Sequence, residues 1–285
     1  MINSSRLDYW NEIWRRYKRN KSAVISLLFI FILVIVAITA DWIAPYDPFK
    51  IDLKNMYMPP HSEHIMGTDS LGRDVLSRVI WGSQVSLSIG IISVVISMFI
   101  GIPLGAISGY LGGRVDDVIM RIVDLFLTLP TFFLILLIVS ILGPSIYHVM
   151  IVIGITTWPS TTRLIRAEFL TFRERPFIEA ARVSGASNIH IVFKEIMPNA
   201  LFTAIINGSL LVASAIMTES SLSFLGLGDP NRVSWGFMLN NAMKGFLTCW
   251  WTTVFPGIMI VLTVMSMNIV GEGLNEAFNP ALVER

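Results

Sequence analysis

Residues 22–40 read SAVISLLFIFILVIVAITA, and no Asp, Glu, Lys or Arg interrupts them. A bilayer core about 30 Å thick is crossed by roughly 20 apolar residues in a helix, so this stretch is long enough to span a membrane. Further uncharged blocks lie at 79–113, 125–162, 196–218 and 245–271, and together with the first they make up half of the 285 residues. We therefore predict an all-α integral membrane protein, because only helices and closed barrels span lipid and the alternating pattern of barrel strands is absent from the sequence.

The composition excludes several other classes of protein. Hydrophobic residues make up 54% of the chain and charged residues only 14%, with a mean hydropathy of +0.67, whereas soluble domains have about 25% charged residues. A net charge of +1 gives no electrostatic attraction for nucleic acid. The single cysteine, Cys249, excludes a disulfide framework and the cysteine-rich zinc sites.

Six membrane spans are predicted from the uncharged blocks. The first is longer than the apolar core of a signal peptide, which is about 7–15 residues, so it is expected to be a retained anchor. The block 125–162 is interrupted by Gly143, Pro144 and Ser145 and is shared between two spans. The predicted spans are 22–43, 85–111, 118–142, 146–165, 199–222 and 252–270.

The basic residues are unevenly distributed between the two sides of the membrane. Of the 21 Lys and Arg residues, 15 fall on the side that holds both termini and the segment between the fourth and fifth spans. Cytoplasmic loops carry an excess of Lys and Arg, so both termini are predicted to be cytoplasmic. Residues 22–84 then comprise the first span and a long external loop, and residues 85–285 form the core domain.

The N-terminal segment, residues 1–21, combines basic residues with an aromatic face. Leu7, Trp10, Trp14 and Tyr17 share one face of a helix, which predicts a segment lying on the cytoplasmic leaflet. The alternative is a disordered basic tail.

Within the second span, glycines at 101, 105 and 109 recur every four residues and predict close approach of another helix. Pro103 and Pro130 are expected to kink their helices.

Motifs for catalysis are absent from the sequence. It contains no GxxxxGK[ST] phosphate loop, no HExxH and no GxSxG, so this chain is not expected to be an enzyme or to hydrolyse ATP. His61 and His64 are expected to be solvated loop residues.

Three polar residues in or near the spans are candidates for a translocation path or gate. Asp124 lies one turn from Arg121 and either pairs near the cytoplasmic end or contributes to a path. Asn207 lies in the middle of the fifth span, where an interhelical hydrogen bond is the alternative. Glu219 ends the fifth span and is expected at its outer mouth.

The cytoplasmic segment at about 166–198 carries the most distinctive pattern. Pro176 suits the first turn of a short helix, whose small-residue face includes Phe177, Ala180, Ala181 and Ser184. Gly185 permits a left-handed turn, and Ser187 can cap a second helix with a face of Ile189, Val192, Phe193 and Ile196. Pro198 is expected to end that helix before the fifth span. A compact projection of this kind is suited to docking into another protein.

This segment resembles the EAA motif of bacterial ABC-importer permeases. Glu179, Ala180 and Ala181 are followed after three residues by Gly185, and Pro198 stands at the expected distance. Glu195 and Met197 depart from the family's Ile and Leu. The resemblance implies that this loop docks into a cleft of an ATPase subunit, through Phe177, Glu179, Ala180, Ala181, Arg182, Gly185, Ala186 and Pro198.

Three other stretches resemble the C-type permeases of oligopeptide, dipeptide and nickel importers. They are GTDSLGRDVLSR at 67–78, ESSLSFLGLG at 219–228 and SWG at 234–236. The resemblance implies the MetI-like transmembrane domain of type I ABC importers with an extra N-terminal span, in a bacterial or archaeal cytoplasmic membrane. It also implies a heterodimer with a B-type permease, two cytoplasmic ATPases that bind ATP and Mg²⁺, and an external substrate-binding protein.

Two other classes remain as alternatives. An ion-coupled secondary transporter or channel would need a functional intramembrane carboxylate, for which Asp124 is the best candidate. A membrane enzyme has no motif in support. The resemblance favours an importer subunit that moves peptides, while the substrate itself cannot be assigned from these residues.

Overall fold

A computed structural model describes residues 11–245 and 248–278. Within these residues the chain is helical, and the one antiparallel contact of β type is an isolated bridge between Thr68 and Asp74. The helices are α1 (Lys21–Ile38), α2 (Ala40–Ile43), α3 (Val75–Leu111), α4 (Gly113–Thr128), α5 (Thr131–Leu142), α6 (Ile146–Arg173), α7 (Pro176–Val183), α8 (Asn188–Leu227), α9 (Trp235–Ala242) and α10 (Trp251–Phe278).

Four of the described helices are long and apolar enough to cross a bilayer: α1, α3, α8 and α10. The bent pair α4 and α5 makes a fifth if it is counted as one span. Helix α6 has 28 residues, but polar side chains such as Ser160, Arg163 and Glu168 occupy its second half. The count of six spans therefore stays a prediction.

The predicted third span, 118–142, is two helices rather than one. Helices α4 and α5 meet at 82° across Leu129 and Pro130. Leu129 has the extended backbone, φ −86° and ψ 134°, that a residue before proline favours. The break expected at Pro130 is confirmed, because proline has no N–H to continue the helical ladder.

The glycine face of α3 packs closely along α6, as predicted. A Cβ atom on Gly105 would lie 2.6 Å from the Thr162 carbonyl oxygen, and one on Gly101 would lie 2.7 Å from Thr161 Cβ. The short distance between the backbones also allows hydrogen bonds across the helix pair, including 3.0 Å from Ser93 Oγ to the Met150 carbonyl. Glycine is required here because of this close approach.

The N-terminal segment is helical at residues 11–17, while Leu7 and Trp10 lie outside the described residues. Tyr17 is buried against α10 and donates a hydrogen bond of 3.0 Å to the Ala23 carbonyl. Burial raises the pKa of the Tyr17 hydroxyl. Only Trp14 of the two described aromatics remains exposed, so the expectation that both lie in the membrane interface was wrong for Tyr17.

The loop between α2 and α3, predicted to be external, is folded onto the start of α3. Asp74 caps α3 by accepting a 2.7 Å hydrogen bond from the Ser77 backbone N–H, and it also pairs with His64 Nδ1 at 2.9 Å. The expectation that His64 is solvated was therefore wrong. Helix α3 begins at Val75, ten residues before the predicted start of the second span. It includes Arg78, a charged residue that is buried.

Candidate functional site

The projection that was predicted to be cytoplasmic begins with α7, and Pro176 occupies its first turn as predicted. One side chain anchors the helix, since Ile178 is completely buried in a cluster with Ile165 and Phe169 of α6. The remaining turns point outward, and Val183 at the end of the helix is 90% exposed. The sequence pattern of small residues gave no indication of the Ile178 anchor.

A glycine turn closes α7. Gly185 has φ +82°, its N–H donates to the Arg182 carbonyl, and the Ala186 N–H donates to the Ala181 carbonyl, each at 3.0 Å. These paired bonds form a Schellman motif, which requires a left-handed residue at the position of Gly185. A Cβ atom there would meet nothing within 4 Å, so the requirement for glycine is conformational. The predicted positive φ is confirmed.

The second helix of the projection differs from the prediction. Ser187 caps it, as expected, by accepting a 3.3 Å hydrogen bond from the His190 N–H. The turns Ile191–Ile196 are π-helical, so the buried residues are Ile191 and Ile196, five apart. Of the predicted apolar face, Ile196 is buried, while Ile189 and Phe193 are 73% and 61% exposed.

Pro198 does not end the helix, which continues directly into the fifth predicted span. Proline has no N–H to continue an α-helical hydrogen-bond ladder, and in a regular α-helix the ring of Pro198 would clash with a carbonyl one turn earlier. The π turns immediately before Pro198 replace that ladder, and the Met197 N–H donates to the Val192 carbonyl. The second helix of the projection is thus the first part of α8.

The residues that the resemblance assigns to ATPase docking are largely at the surface. Ala181 and Ala186 are partly buried beneath it. The exposed members are Phe177, Glu179, Ala180, Arg182, Gly185 and Pro198. The surface therefore combines one acid, one base and an aromatic ring on a helix that is fixed at its base by Ile178.

The three path candidates lie in different environments. Asp124 pairs with Arg163 of α6 at 2.6 Å, rather than with Arg121, and both side chains are more than half exposed. Asn207 lies on the wall of a cleft of about 520 Å³ between α6, α8 and α10. Glu219 is 2% exposed, so it lies inside the chain and not on an open surface.

Glu219 accepts hydrogen bonds from three serine side chains. The distances to its carboxylate are 2.7 Å from Ser223 Oγ, 2.7 Å from Ser234 Oγ and 3.4 Å from Ser220 Oγ. Ser234 also caps α9 by accepting from the Phe237 N–H at 3.2 Å. The carboxylate consequently ties the end of α8 to the start of α9.

Comparison with known families decides the class of the chain. Residues 101–284 match the family described as "Binding-protein-dependent transport system inner membrane component". The chain belongs to this family. Residues 8–60 match a second family, described as the "N-terminal TM domain of oligopeptide transport permease C". The chain is thus a C-type permease subunit of an ABC importer, with the extra N-terminal span that the resemblance implied.

Curated relatives cover the permease almost end to end. The di/tripeptide transport system permease protein DppC of Pseudomonas aeruginosa is 39% identical over 278 residues, 95% of this chain and 92% of the relative. The glutathione transport system permease protein GsiD of Escherichia coli is 39% identical over 275 residues, covering 96% and 91%. The dipeptide permease DppC of Bacillus subtilis is 34% identical, covering 97% and 87%.

A solved structure supports the fold. The permease aligns with a chain of the MetNI methionine ABC transporter, in an inward-facing conformation, with a TM-score of 0.56. The alignment covers 71% of this chain and 97% of that chain at 17% sequence identity. The MetI-like, all-α fold predicted from the sequence is confirmed.

Proposed function

We propose that this permease forms half of the path by which di- or tripeptides cross the cytoplasmic membrane, with both termini in the cytoplasm. The other half is a B-type permease, and the complete importer includes two cytoplasmic ATPases and an external binding protein. ATP and Mg²⁺ bind on the ATPases. The names of the relatives, which transport dipeptides, tripeptides or glutathione, support a peptide-like substrate.

The projection at residues 176–198 is the feature that most strongly supports a role in coupling to the ATPase. Its short helix, α7, is anchored on α6 by Ile178 and closed at Gly185, and its residues from Asn188 onward belong to α8. A force on α7 can therefore reach α6 through the packing of Ile178, and a force on residues 188–198 acts directly on α8. A loop that merely connected two spans would not need this construction.

The mechanism that follows is conformational gating. When ATP closes the ATPase dimer, the two cytoplasmic projections of the importer are drawn together, and the path opens toward the binding protein. Hydrolysis then returns the path to its inward-open state. None of the residues of this chain reacts chemically, and its contribution is to bind the ATPase and to move.

Uptake by the reconstituted complex tests this function. The four-component importer, in liposomes with ATP inside, should accumulate a labelled dipeptide or tripeptide only when the binding protein is present outside. The purified permease alone should not hydrolyse ATP. Uptake driven by an ion gradient without ATP would contradict the proposal and favour a secondary transporter.

A further inference from the structure

The outward faces of three spanning helices are uniformly apolar through their middle sections. On α1 the exposed side chains from 25 to 38 are apolar, and on α3 the same holds from 91 to 111. On α10 the exposed residues between 254 and 265 are Val254, Ile258, Val261, Leu262 and Met265. These surfaces are suited to contact with lipid tails.

The outward face of α8 is different. Leu201 and Ile205 are exposed apolar residues on one side of this helix. Its other outward side carries, at helical spacing, mainly polar side chains that are exposed or partly exposed: Asn199, Thr203, Asn207, Ser214, Thr218 and Ser221. Leu210 and Met217 are exposed on the same face. We name these eight residues the polar face of α8.

Asn207 is the residue of the polar face for which contact with lipid would be most costly. The hydroxyls of Thr218 and Ser221 bond to carbonyls one turn earlier, so they are satisfied even in lipid. No hydrogen bond joins the Asn207 carboxamide to another of the described residues. A carboxamide without partners is costly in hydrocarbon, whereas water satisfies it.

The polar face opens at its cytoplasmic end into the cleft of about 520 Å³. Asn275 of α10 and Glu168 of α6 line this cleft together with Asn199, Thr203 and Asn207. Its volume is within the range of small-molecule sites, about 300–1,000 Å³. The lining offers amide donors and acceptors and one carboxylate, which are the groups that hydrogen-bond a peptide backbone and attract an ammonium terminus.

We infer that the polar face of α8 is the wall of the translocation path in this subunit, and that the cleft is the exit through which a short peptide reaches the cytoplasm. The inference rests on the proposed function and adds the residues that the substrate meets. It assigns Asn207 and Ser214 to the water-filled side of α8. It assigns the outward face of α10 to lipid.

Thiol accessibility in the assembled importer tests this assignment. Asn207→Cys and Ser214→Cys are compared with Ile258→Cys and Leu262→Cys, two exposed positions on α10. The wild-type chain, whose Cys249 is buried, gives the background. Because only the thiolate reacts, and thiolates form poorly in lipid, a charged methanethiosulfonate reagent should modify the α8 cysteines about tenfold faster or more. Dipeptide uptake should then fall.

The outcomes separate the inference from the proposed function. Slower modification of Asn207→Cys in the presence of saturating peptide-loaded binding protein and ATP supports contact with the substrate. If all four variants import dipeptide and the α8 cysteines react no faster than those on α10, the inference fails while the proposed function stands. Such a result would mean that lipid or the second permease covers this face. Failure of the wild-type complex to import peptide would overturn the proposed function itself.

Discussion

Glu219 is a single buried acid that links the end of α8 to the start of α9. Its carboxylate receives the hydroxyls of Ser220, Ser223 and Ser234, which belong to the last turns of α8 and the cap of α9. Only 2% of the residue is exposed. The acid therefore acts as a structural acceptor in this conformation.

Removing that acceptor should lower stability. Glu219→Ala leaves buried hydroxyls without their partner, which costs about 1–3 kcal/mol for each unsatisfied group. We expect the assembled complex to unfold at a lower temperature in detergent. Glu219→Gln should have a smaller effect, since its amide oxygen still accepts. An unchanged melting temperature for Glu219→Ala would show that the serines find other partners.

His64 illustrates what the sequence cannot reveal about a single residue. Its partner, Asp74, is ten residues away, and the contact exists only because the loop folds back through the Thr68–Asp74 bridge. No helical or strand period relates these two positions. By contrast, the positive φ of Gly185 could be predicted, since a helix stop and a following cap surround it locally.

At the scale of elements, the packing of α3 on α6 depends on glycine. Gly105→Ala would place a methyl group 2.6 Å from the Thr162 carbonyl oxygen, so the helices must separate. Gly257 of α10 has open space around its Cβ position and an ordinary helical backbone. The two glycines therefore form a matched pair for substitution.

We expect opposite signs from the two alanine variants. Gly105→Ala should destabilise the complex by about 1–3 kcal/mol through overpacking. Gly257→Ala should be neutral or stabilising by about 0.5–1 kcal/mol, because alanine favours helix. Thermal unfolding of the purified complexes measures both. Equal effects would show that the close approach of α3 and α6 does not limit stability.

The ends of the helices were predicted less well than their existence. Uncharged blocks located the spanning helices, but Arg78 ended one block although it lies within α3. That guanidinium is buried, donates to the Pro48 carbonyl at 2.8 Å and lies 3.5 Å from Asp69. Similarly, the apolar face of residues 188–196 was predicted with α-helical spacing, whereas the π turns bury Ile191 and Ile196.

For the whole molecule, the distribution of basic residues predicts which side each loop occupies. Ser62, in the external loop, and Ser184, in the cytoplasmic projection, are both exposed serines. In sealed cells, Ser62→Cys should react with an impermeant thiol reagent and Ser184→Cys should react only after the cells are opened. Labelling of both positions in intact cells would contradict the proposed topology.

Coupling of the permease to the ATPase is tested most directly at Gly185. Gly185→Val forces a β-branched residue into the left-handed region, at a cost of about 1–2 kcal/mol, at a position where an added Cβ atom meets nothing within 4 Å. Asparagine tolerates that region, so Gly185→Asn is the matched control. A Cβ atom at this position meets nothing within 4 Å, so membrane insertion should be unaffected in both variants.

The measurement is dipeptide uptake and ATPase stimulation by the loaded binding protein, made on the reconstituted complex of each variant. We predict that Gly185→Val loses most of its uptake and its stimulation, while Gly185→Asn keeps both close to the wild-type values. Normal uptake and normal stimulation in the Gly185→Val complex would contradict the account and leave residues 176–198 as a connection between two spans.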